Sequence, residues 1–301
     1  MRAGLIGLTG RPNVGKSTLL NAIVGLKIAA TTHKPQTTRR QLRGVRHEPG
    51  YQFVFVDTPG IHLNAKRALN KALNRSAASI LDDVDILVFV IEALRWTDED
   101  ENVLRQLKGR SNVILVVNKV DQIKDKERLL PFLEEVSARM DFQAVIPMSA
   151  LKASDTKHLL DELRKRLEDS PPFFPEEQHT DRSIQFVIAE TVREKLMERL
   201  HEELPYSLTV TVDQYVVEPP KVEGRGNGLA RIGATIWVER EGQKSIVIGA
   251  GGSMLKQVGR AAREDLEQQF GRKVFLELWV KMRDAWADDP RQLKQLGIDE
   301  Q

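Results

Sequence analysis

The sequence predicts an α/β domain followed by a smaller α+β domain. In the first half, near-continuous apolar runs alternate with longer helical patterns, at residues 5–8, 53–56, 86–91, 113–117 and 144–148. Such runs are typical of strands buried on both faces, so we expect a mostly parallel sheet with helices on both sides. In the second half, a helical pattern at 183–203 precedes strands at 208–217 and 229–238, a glycine-rich turn, a helix and a last strand at 274–280.

Length and one proline-rich stretch divide the chain. Its 301 residues are too many for a single domain of ordinary size, so we expect two domains. Three prolines followed by two glutamates in residues 171–177 break any regular pattern and are typical of a linker. We expect the first domain at 1–170, a linker at 171–182, and the second domain with a C-terminal tail at 183–301. A helix at 159–167 is predicted to close the first domain.

Composition excludes several kinds of protein. The 45 Lys and Arg residues nearly balance the 43 Asp and Glu residues, so any attraction to nucleic acid has to be local. The absence of cysteine excludes a disulfide scaffold, a cysteine zinc site and a thiol nucleophile. No apolar run approaches the roughly 18 residues typical of a membrane span. We therefore expect a cytoplasmic protein.

The first motif lies between the first apolar run and a helical pattern. It comprises Gly10, Arg11, Pro12, Asn13, Val14, Gly15, Lys16, Ser17 and Thr18. Glycines at both ends let backbone N–H groups converge on phosphate oxygens, and the following helix directs its positive N-terminus at the same anion. Lys16 is expected to reach the β- and γ-phosphates, and the Ser17 hydroxyl to bind Mg²⁺. This spacing strongly indicates nucleotide binding.

The second motif, Asp57, Thr58, Pro59 and Gly60, directly follows the run at 53–56. An Asp at a strand end can hold Mg²⁺, usually through water, and the N–H of Gly60 can meet a γ-phosphate because no side chain blocks the approach. Alone, the same residues would also make an ordinary turn.

The third motif, from Asn118 to Asp121, predicts which base is bound. A carboxylate at Asp121 can accept hydrogen bonds from N1–H and the 2-amino group of guanine, and adenine offers neither donor. Asn118 is expected to tie this loop to the phosphate loop, and the Lys119 methylenes to cover the base. Ser149 and Ala150, after the last strand, would supply a backbone N–H to the guanine O6 atom.

In this order and spacing, the motifs resemble the signature set of GTPases. The resemblance implies a Thr ligand for Mg²⁺ before Asp57; we expect Thr38, with Thr37 as the second choice. The magnesium ligands are then Ser17, Thr38 and Asp57.

Many GTPases place a Gln just after the glycine of the second motif, but Ile61 stands here. Resemblance to GTPases with a hydrophobic residue at this position implies a K⁺ ion held in part by Asn13, although Asn13 is equally suited to a turn. The residues expected to act in hydrolysis are Lys16, Thr38, Gly60 and Asn13.

The glycine-rich turn of the second half resembles the clamp of the KH module. The order of elements is that of a type II KH domain, in which the turn holds about four unpaired nucleotides. The alternative is a tight helix–helix turn. Because no Lys or Arg lies between the glycines, RNA affinity has to depend on flanking basic residues. The expected RNA-binding residues are Ile248, Gly249, Ala250, Gly251, Gly252, Ser253, Lys244, Lys256, Arg260 and Lys281. Phe275 and Trp279 share one side of the last strand; they could stack on bases, but we expect core packing.

Together with the closing LELWVK and WADD runs, these motifs resemble the Era-like family of bacterial GTPases over about residues 4–297. The resemblance implies a P-loop GTPase domain followed by a type II KH domain, with GTP or GDP and Mg²⁺ bound. It implies binding near the 3′ end of small-subunit ribosomal RNA, a part in 30S subunit maturation and, in some bacteria, peripheral membrane association. GTP would order the loops around Thr38 and Gly60, and hydrolysis would release them. We expect a monomer with no DNA partner; the alternative is a GTPase scaffold whose second domain binds protein or a membrane surface.

Overall fold

The computed structural model describes residues 1–32, 34, 37, 41–57, 82–200, 204, 207–220 and 227–284. These residues form two compact units. The first unit holds 1–28, 41–57 and 82–181, and the second holds the described parts of 29–37 and of 182–284.

The first unit is built on a six-stranded sheet. Its strands are β1 (Arg2–Thr9), β2 (Leu42–Glu48), β3 (Tyr51–Asp57), β4 (Ile86–Glu92), β5 (Val113–Asn118) and β6 (Ala144–Pro147). They lie in the order β2-β3-β1-β4-β5-β6, and all pairs are parallel except β2 with β3. The five predicted strands and the mostly parallel sheet are confirmed. Strands β1, β3, β4 and β5 are largely apolar and are buried along almost their whole length. The edge strand β2 was not predicted.

The described helices of this unit are α1 (Lys16–Val24), α2 (Asp98–Leu107) and α3 (Leu129–Ser137), which connect strands, and α4 (Ala153–Arg164), which follows β6. Helix α4 begins six residues before the predicted 159–167 and ends three residues earlier. Its first turn is mostly polar, so the apolar pattern does not reveal where it starts. Gly44 of β2 lies against α1: a Cβ atom there would come within 2.6–2.8 Å of side-chain carbons of Leu20, Ile28 and Val24.

The segment predicted as a linker lies along the first unit. The side-chain amide of Gln52 accepts from the N–H groups of Phe173 and Phe174 at 2.7 and 3.1 Å and donates to the Phe174 carbonyl at 2.7 Å. The N–H of Val45 donates to the His179 carbonyl at 2.8 Å. The domain border at residues 171–182 stays a prediction.

The second unit is a three-stranded sheet covered on one face by helices. Its elements are α5 (Ile184–Arg199), β7 (Leu208–Glu218), β8 (Leu229–Val238), α6 (Glu241–Ile248), α7 (Ser253–Phe270) and β9 (Lys273–Met282). β7 pairs antiparallel with β8, and β8 pairs parallel with β9. Even-numbered residues of β8 and β9 pack on α5 and α7 in two apolar clusters, both of which contact Val212 and Leu276. The Lys195 ammonium of α5 lies 2.9 Å from Asp265 of α7. Burial disfavours its charge, but hydrogen bonds to Glu194 and Asp265 raise the pKa of Lys195.

Residues 29–37 also belong to the second unit. The N–H of Thr31 donates to Glu194 Oε2 at 2.7 Å, and Arg193 donates to the Thr37 carbonyl. Glu194 and Arg193 are both buried in helix α5.

Among the described residues, no helix combines the length and the apolar character needed to cross a bilayer.

Candidate nucleotide and RNA sites

The phosphate loop joins β1 to α1, as its sequence predicts. Gly15 is the N-cap of α1 and has a φ of 103°, which favours glycine. A Cβ atom there would lie 2.3 Å from Asn118 Nδ2. No described side chain caps the helix through a hydrogen bond. The positive end of the helix dipole therefore lies at the phosphate loop, where it favours an anion.

Lys16 lies inside this loop and is almost fully buried. Its Nζ atom donates to the carbonyl oxygens of Gly10 and Arg11 at 2.9 and 3.0 Å. Burial lowers the pKa of Lys16 to about 8, although the charge of Asp57 opposes this shift. A phosphate group within reach would stabilise the charged ammonium.

Ser17 and Asp57 form the described part of the expected magnesium site. The Ser17 hydroxyl donates to Asp57 Oδ2 at 2.6 Å, and Asp57 is fully buried at the end of β3. A hydroxyl and a carboxylate are hard oxygen donors, so these residues fit Mg²⁺. The third expected magnesium ligand, Thr38, lies outside the described residues, as do Thr58, Pro59 and Gly60 of the second motif.

Thr37, the second choice for the magnesium ligand, belongs to the second unit. Its hydroxyl donates to the Lys34 carbonyl at 2.7 Å and lies 2.7 Å from the Thr32 hydroxyl.

Asn118 joins three loops in the first unit. Its Nδ2 atom donates to the Val14 carbonyl of the phosphate loop at 2.7 Å, and its Oδ1 atom accepts from the N–H of Ala150 at 2.9 Å. The contact with the phosphate loop is the one that the sequence predicts. Beside it, the N–H of Ser149 donates to Asp155 Oδ2 at 2.9 Å, and this hydrogen bond lowers the pKa of Asp155.

The two base-reading residues follow Asn118 directly. Lys119 has a positive φ of 66°, and its Nζ atom lies 3.5 Å from Glu92 Oε2. Asp121 is exposed within a short 3₁₀ turn, Val120–Gln122. Because the Asp121 side chain is exposed on this turn and is not packed in the core, a base can reach its carboxylate from solvent.

Sequence reasoning missed Glu92 and Asp100, both of which contact Arg11. Arg11 Nη2 donates to Glu92 Oε2 at 2.7 Å, and Nε donates to Asp100 Oδ2 at 3.1 Å. Asp100 forms a capping box with Thr97 at the start of α2. A Thr followed three residues later by an acidic residue is a detectable helix-start signal, so Asp100 could have been found. Glu92 carries no comparable local signal.

The glycine turn of the second unit connects α6 to α7, as predicted. Gly249, Gly251 and Gly252 have φ values of 74°, 56° and 77°. A Cβ atom at Gly249 would come within 2.9 Å of the Met254 backbone nitrogen, so close packing requires glycine there. Added side chains at Gly251 and Gly252 would meet nothing within 4 Å. The exposed part of the turn can therefore approach a phosphate backbone closely.

The predicted basic RNA-binding residues lie on three elements of the second unit. Lys244 lies on α6, 3.2 Å from Glu241, and the exposed Arg260 lies on α7, 2.8 Å from Glu264. Lys256 is exposed on α7. Lys281 lies 5.8 Å from the ring centre of Trp237, on the sheet face away from the helices.

The expectation that Phe275 and Trp279 pack in the core is wrong. Each is 44% exposed on the sheet face away from the helices. The Trp279 ring lies over Gly233, and the Arg231 guanidinium lies 5.2 Å from the Phe275 ring centre. Alternation along β9 separates the two faces, but it does not reveal which face the helices cover.

Comparisons with known proteins agree with both units. A family model described as a 50S ribosome-binding GTPase matches residues 5–119, and a KH domain model matches residues 203–287. GTPase Era from Histophilus somni strain 129Pt is 48% identical over 299 residues, covering 99% of this chain and 97% of that protein. GTPase Era from Actinobacillus pleuropneumoniae serotype 5b strain L20 is 48% identical over 295 residues, covering 98% of this chain and 95% of that protein.

Two solved structures also match over the whole length of both chains, each with a TM-score of 0.91. A variant of Era from Aquifex aeolicus bound to GDP and AlF4⁻ is 34% identical. Era in complex with MgGDPNP and nucleotides 1506–1542 of 16S ribosomal RNA is 35% identical. With nearly half of its residues identical to curated relatives along almost the entire sequence, the chain belongs to the GTPase Era family.

Proposed function

We propose that this GTPase binds GTP and Mg²⁺ in its first unit and single-stranded small-subunit ribosomal RNA in its second unit. The observation that carries the nucleotide part is Asn118, which joins the phosphate loop to both base-reading segments. The RNA part is supported by the glycine turn between α6 and α7 and by the related Era structure that contains 16S ribosomal RNA. The cellular role that follows is assistance to 30S subunit maturation in the cytoplasm.

Each nucleotide-site residue has a chemical role in this proposal. Lys16 would exchange its two loop carbonyls for β- and γ-phosphate oxygens, and the N–H groups at the start of α1 would bind the same phosphates. Ser17 and Asp57 would hold Mg²⁺, with Thr38 completing the protein ligands. Bound Mg²⁺ neutralises charge that develops on the phosphates during transfer. The N–H of Gly60 would bind the γ-phosphate.

Asp121 and Lys119 would select and cover the guanine base. The Asp121 carboxylate accepts from N1–H and the 2-amino group, while Lys119 lays its methylenes on one face of the ring. The N–H of Ala150 donates to Asn118 and the N–H of Ser149 donates to Asp155, so one of these groups has to change or share its acceptor to reach guanine O6.

Hydrolysis is expected to run at least about 10-fold faster in K⁺ than in Na⁺ at equal ionic strength, because a cation beside Asn13 would supply charge that Ile61 cannot. The measurement is the initial rate of phosphate release in each salt, for the wild type and Asn13→Ala. Equal rates in both salts for the wild type would remove this role and leave Asn13, with its φ of 64°, as a turn residue.

Placing two carboxylates in the glycine turn is expected to weaken RNA binding at least about 10-fold, because they repel the phosphate backbone. The variant is Ala250→Asp with Gly251→Asp, both at exposed positions, and Asp tolerates the positive φ of Gly251. The measurement is fluorescence anisotropy of a labelled single-stranded RNA that matches the 3′ end of small-subunit ribosomal RNA. The wild type should bind this RNA more tightly with a non-hydrolysable GTP analogue than with GDP.

Gly50→Asp is the matched control, since it puts a carboxylate on an open glycine with a φ of 80° in the first unit. Equal RNA affinity for the control and the double variant would contradict the proposed turn. Binding of anionic vesicles in place of RNA would favour a scaffold GTPase at the inner face of the cell membrane.

A further inference from the structure

Arg11 belongs to the phosphate loop, but its guanidinium is bound by carboxylates outside that loop. Its side chain is 5% exposed and lies 2.7 Å from Glu92 Oε2 and 3.1 Å from Asp100 Oδ2. Arg11 also offers its carbonyl oxygen to Lys16. The two carboxylates therefore fix the backbone that holds Lys16.

Glu92 reaches the base-reading loop as well. It is the last residue of β4 and lies opposite Asn118 in the parallel register of β4 and β5. The Oε2 atom that accepts from Arg11 also lies 3.5 Å from Lys119 Nζ. One carboxylate oxygen thus contacts both nucleotide-binding loops.

Lys119 has an uncommon backbone conformation. Its φ of 66° is uncommon for a residue other than glycine, and such conformations persist only where surrounding contacts hold them. Lys119 keeps 22% of its side chain exposed, so packing alone leaves it partly unconstrained. An ion pair with a fixed carboxylate restricts where its methylenes can lie.

The charge of Glu92 is retained at neutral pH. Burial alone would raise the pKa of Glu92, but the hydrogen bond from Arg11 and the charge of Lys119 lower it below its ordinary value.

We propose that Glu92 is a positioning residue for nucleotide binding, which sets the phosphate loop through Arg11 and the base loop through Lys119. Asn118 connects the same loops through backbone groups, whereas Glu92 connects them through two cations. This inference rests on the roles proposed above for both loops. Its consequence is that the phosphate and base contacts of one guanine nucleotide strengthen each other.

The test compares wild type with Glu92→Gln, which keeps an oxygen that can accept from Arg11 and removes the charge facing Lys119. We expect fluorescent GDP to dissociate about 10-fold faster, the size expected for loss of one charge-assisted contact. We also expect a smaller preference for GDP over inosine diphosphate, which lacks the 2-amino group that Asp121 reads. Loss of stability alone would leave this preference unchanged.

Glu101→Gln is the matched control. Glu101 pairs with Arg139 at 3.4 Å in the same unit with similar exposure, and within the described part of the chain no hydrogen bond or ion pair links either side chain to a nucleotide loop. Both variants should melt at comparable temperatures, and only Glu92→Gln should change GDP dissociation. A Glu92→Gln protein with the dissociation rate and base preference of the control would overturn the proposal.

A double-mutant cycle with Lys119→Met tests whether Glu92 slows GDP dissociation through its contact with Lys119. If Glu92 acts through Lys119, the two substitutions together should accelerate GDP dissociation less than the product of their separate effects. Independent effects would overturn the coupling to the base loop. A wild-type protein without guanine preference would instead refute the proposed nucleotide site, so the two failures are distinguishable.

Discussion

Replacing Asp121 by Asn is expected to reverse the base preference of the nucleotide site, weakening GTP about 1000-fold and creating affinity for XTP. The Asn amide has one acceptor oxygen and one donor NH₂ group. The NH₂ group would face the 2-amino group of guanine, which is also a donor, whereas it can donate to the 2-carbonyl oxygen of xanthine. Sites that pair a specific donor discriminate strongly against ligands that lack it. Asp121 is exposed on a short turn, so the change should leave the fold intact.

The measurement is calorimetric titration of the nucleotide-free protein with GTP, XTP and ATP. Asp125→Asn is the control, because Asp125 lies four residues along in the same exposed region and accepts from the Glu127 N–H at 3.2 Å. The control should keep guanine preference. An Asp121→Asn protein that still prefers GTP would mean that the base is read elsewhere, and wild-type affinity for ATP equal to that for GTP would remove the guanine assignment.

Gly15→Ala is expected to weaken GTP binding at least about 100-fold. The added methyl group would lie 2.3 Å from Asn118 Nδ2, so the loop or Asn118 has to move. Either movement breaks the 2.7 Å hydrogen bond from Asn118 to the Val14 carbonyl and shifts the N–H groups at the start of α1. The φ of 103° adds backbone strain of about 1–2 kcal/mol.

Gly109→Ala separates these contributions. Gly109 has a φ of 88°, and a Cβ atom there would meet nothing within 4 Å. This control therefore takes on the backbone strain without a steric contact near the nucleotide, and it should lose stability while binding GTP as the wild type does. Thermal melting and GTP titration of both variants make the comparison. Equal GTP affinity of the two variants would show that contact between the loop and Asn118 is unimportant.

The parallel sheet was predictable because β1, β3, β4 and β5 are buried along almost their whole length and are therefore largely apolar. The strand β2 escaped prediction since it is an edge strand, in which Arg43, Arg46 and His47 keep partial exposure. Residues 171–177 have the composition of a linker, but the side chain of Gln52 hydrogen-bonds the backbone of Phe173 and Phe174. A partner that distant in sequence leaves no local pattern.

The nucleotide motifs predicted the contact between Asn118 and the phosphate loop because their spacing is tied to one geometry. The Glu92 contacts were not predictable in the same way, since they depend on the register of β4 against β5. Similarly, the spacing of Phe275 and Trp279 shows that they share a face, whereas their exposure depends on where α5 and α7 pack. The contacts of Glu92 and the exposure of Phe275 and Trp279 both depend on the tertiary arrangement, which the sequence of a single segment does not reveal.

The absence of a side chain at Gly44 affects how helix α1 packs on the sheet. Because this position has no side chain, α1 can rest close to the sheet through Leu20 and Val24. A larger residue would clash with these side chains and would push the helix away from the strands. The small size of one residue in the edge strand β2 thus helps to set the position of the helix end that is expected to face the phosphates.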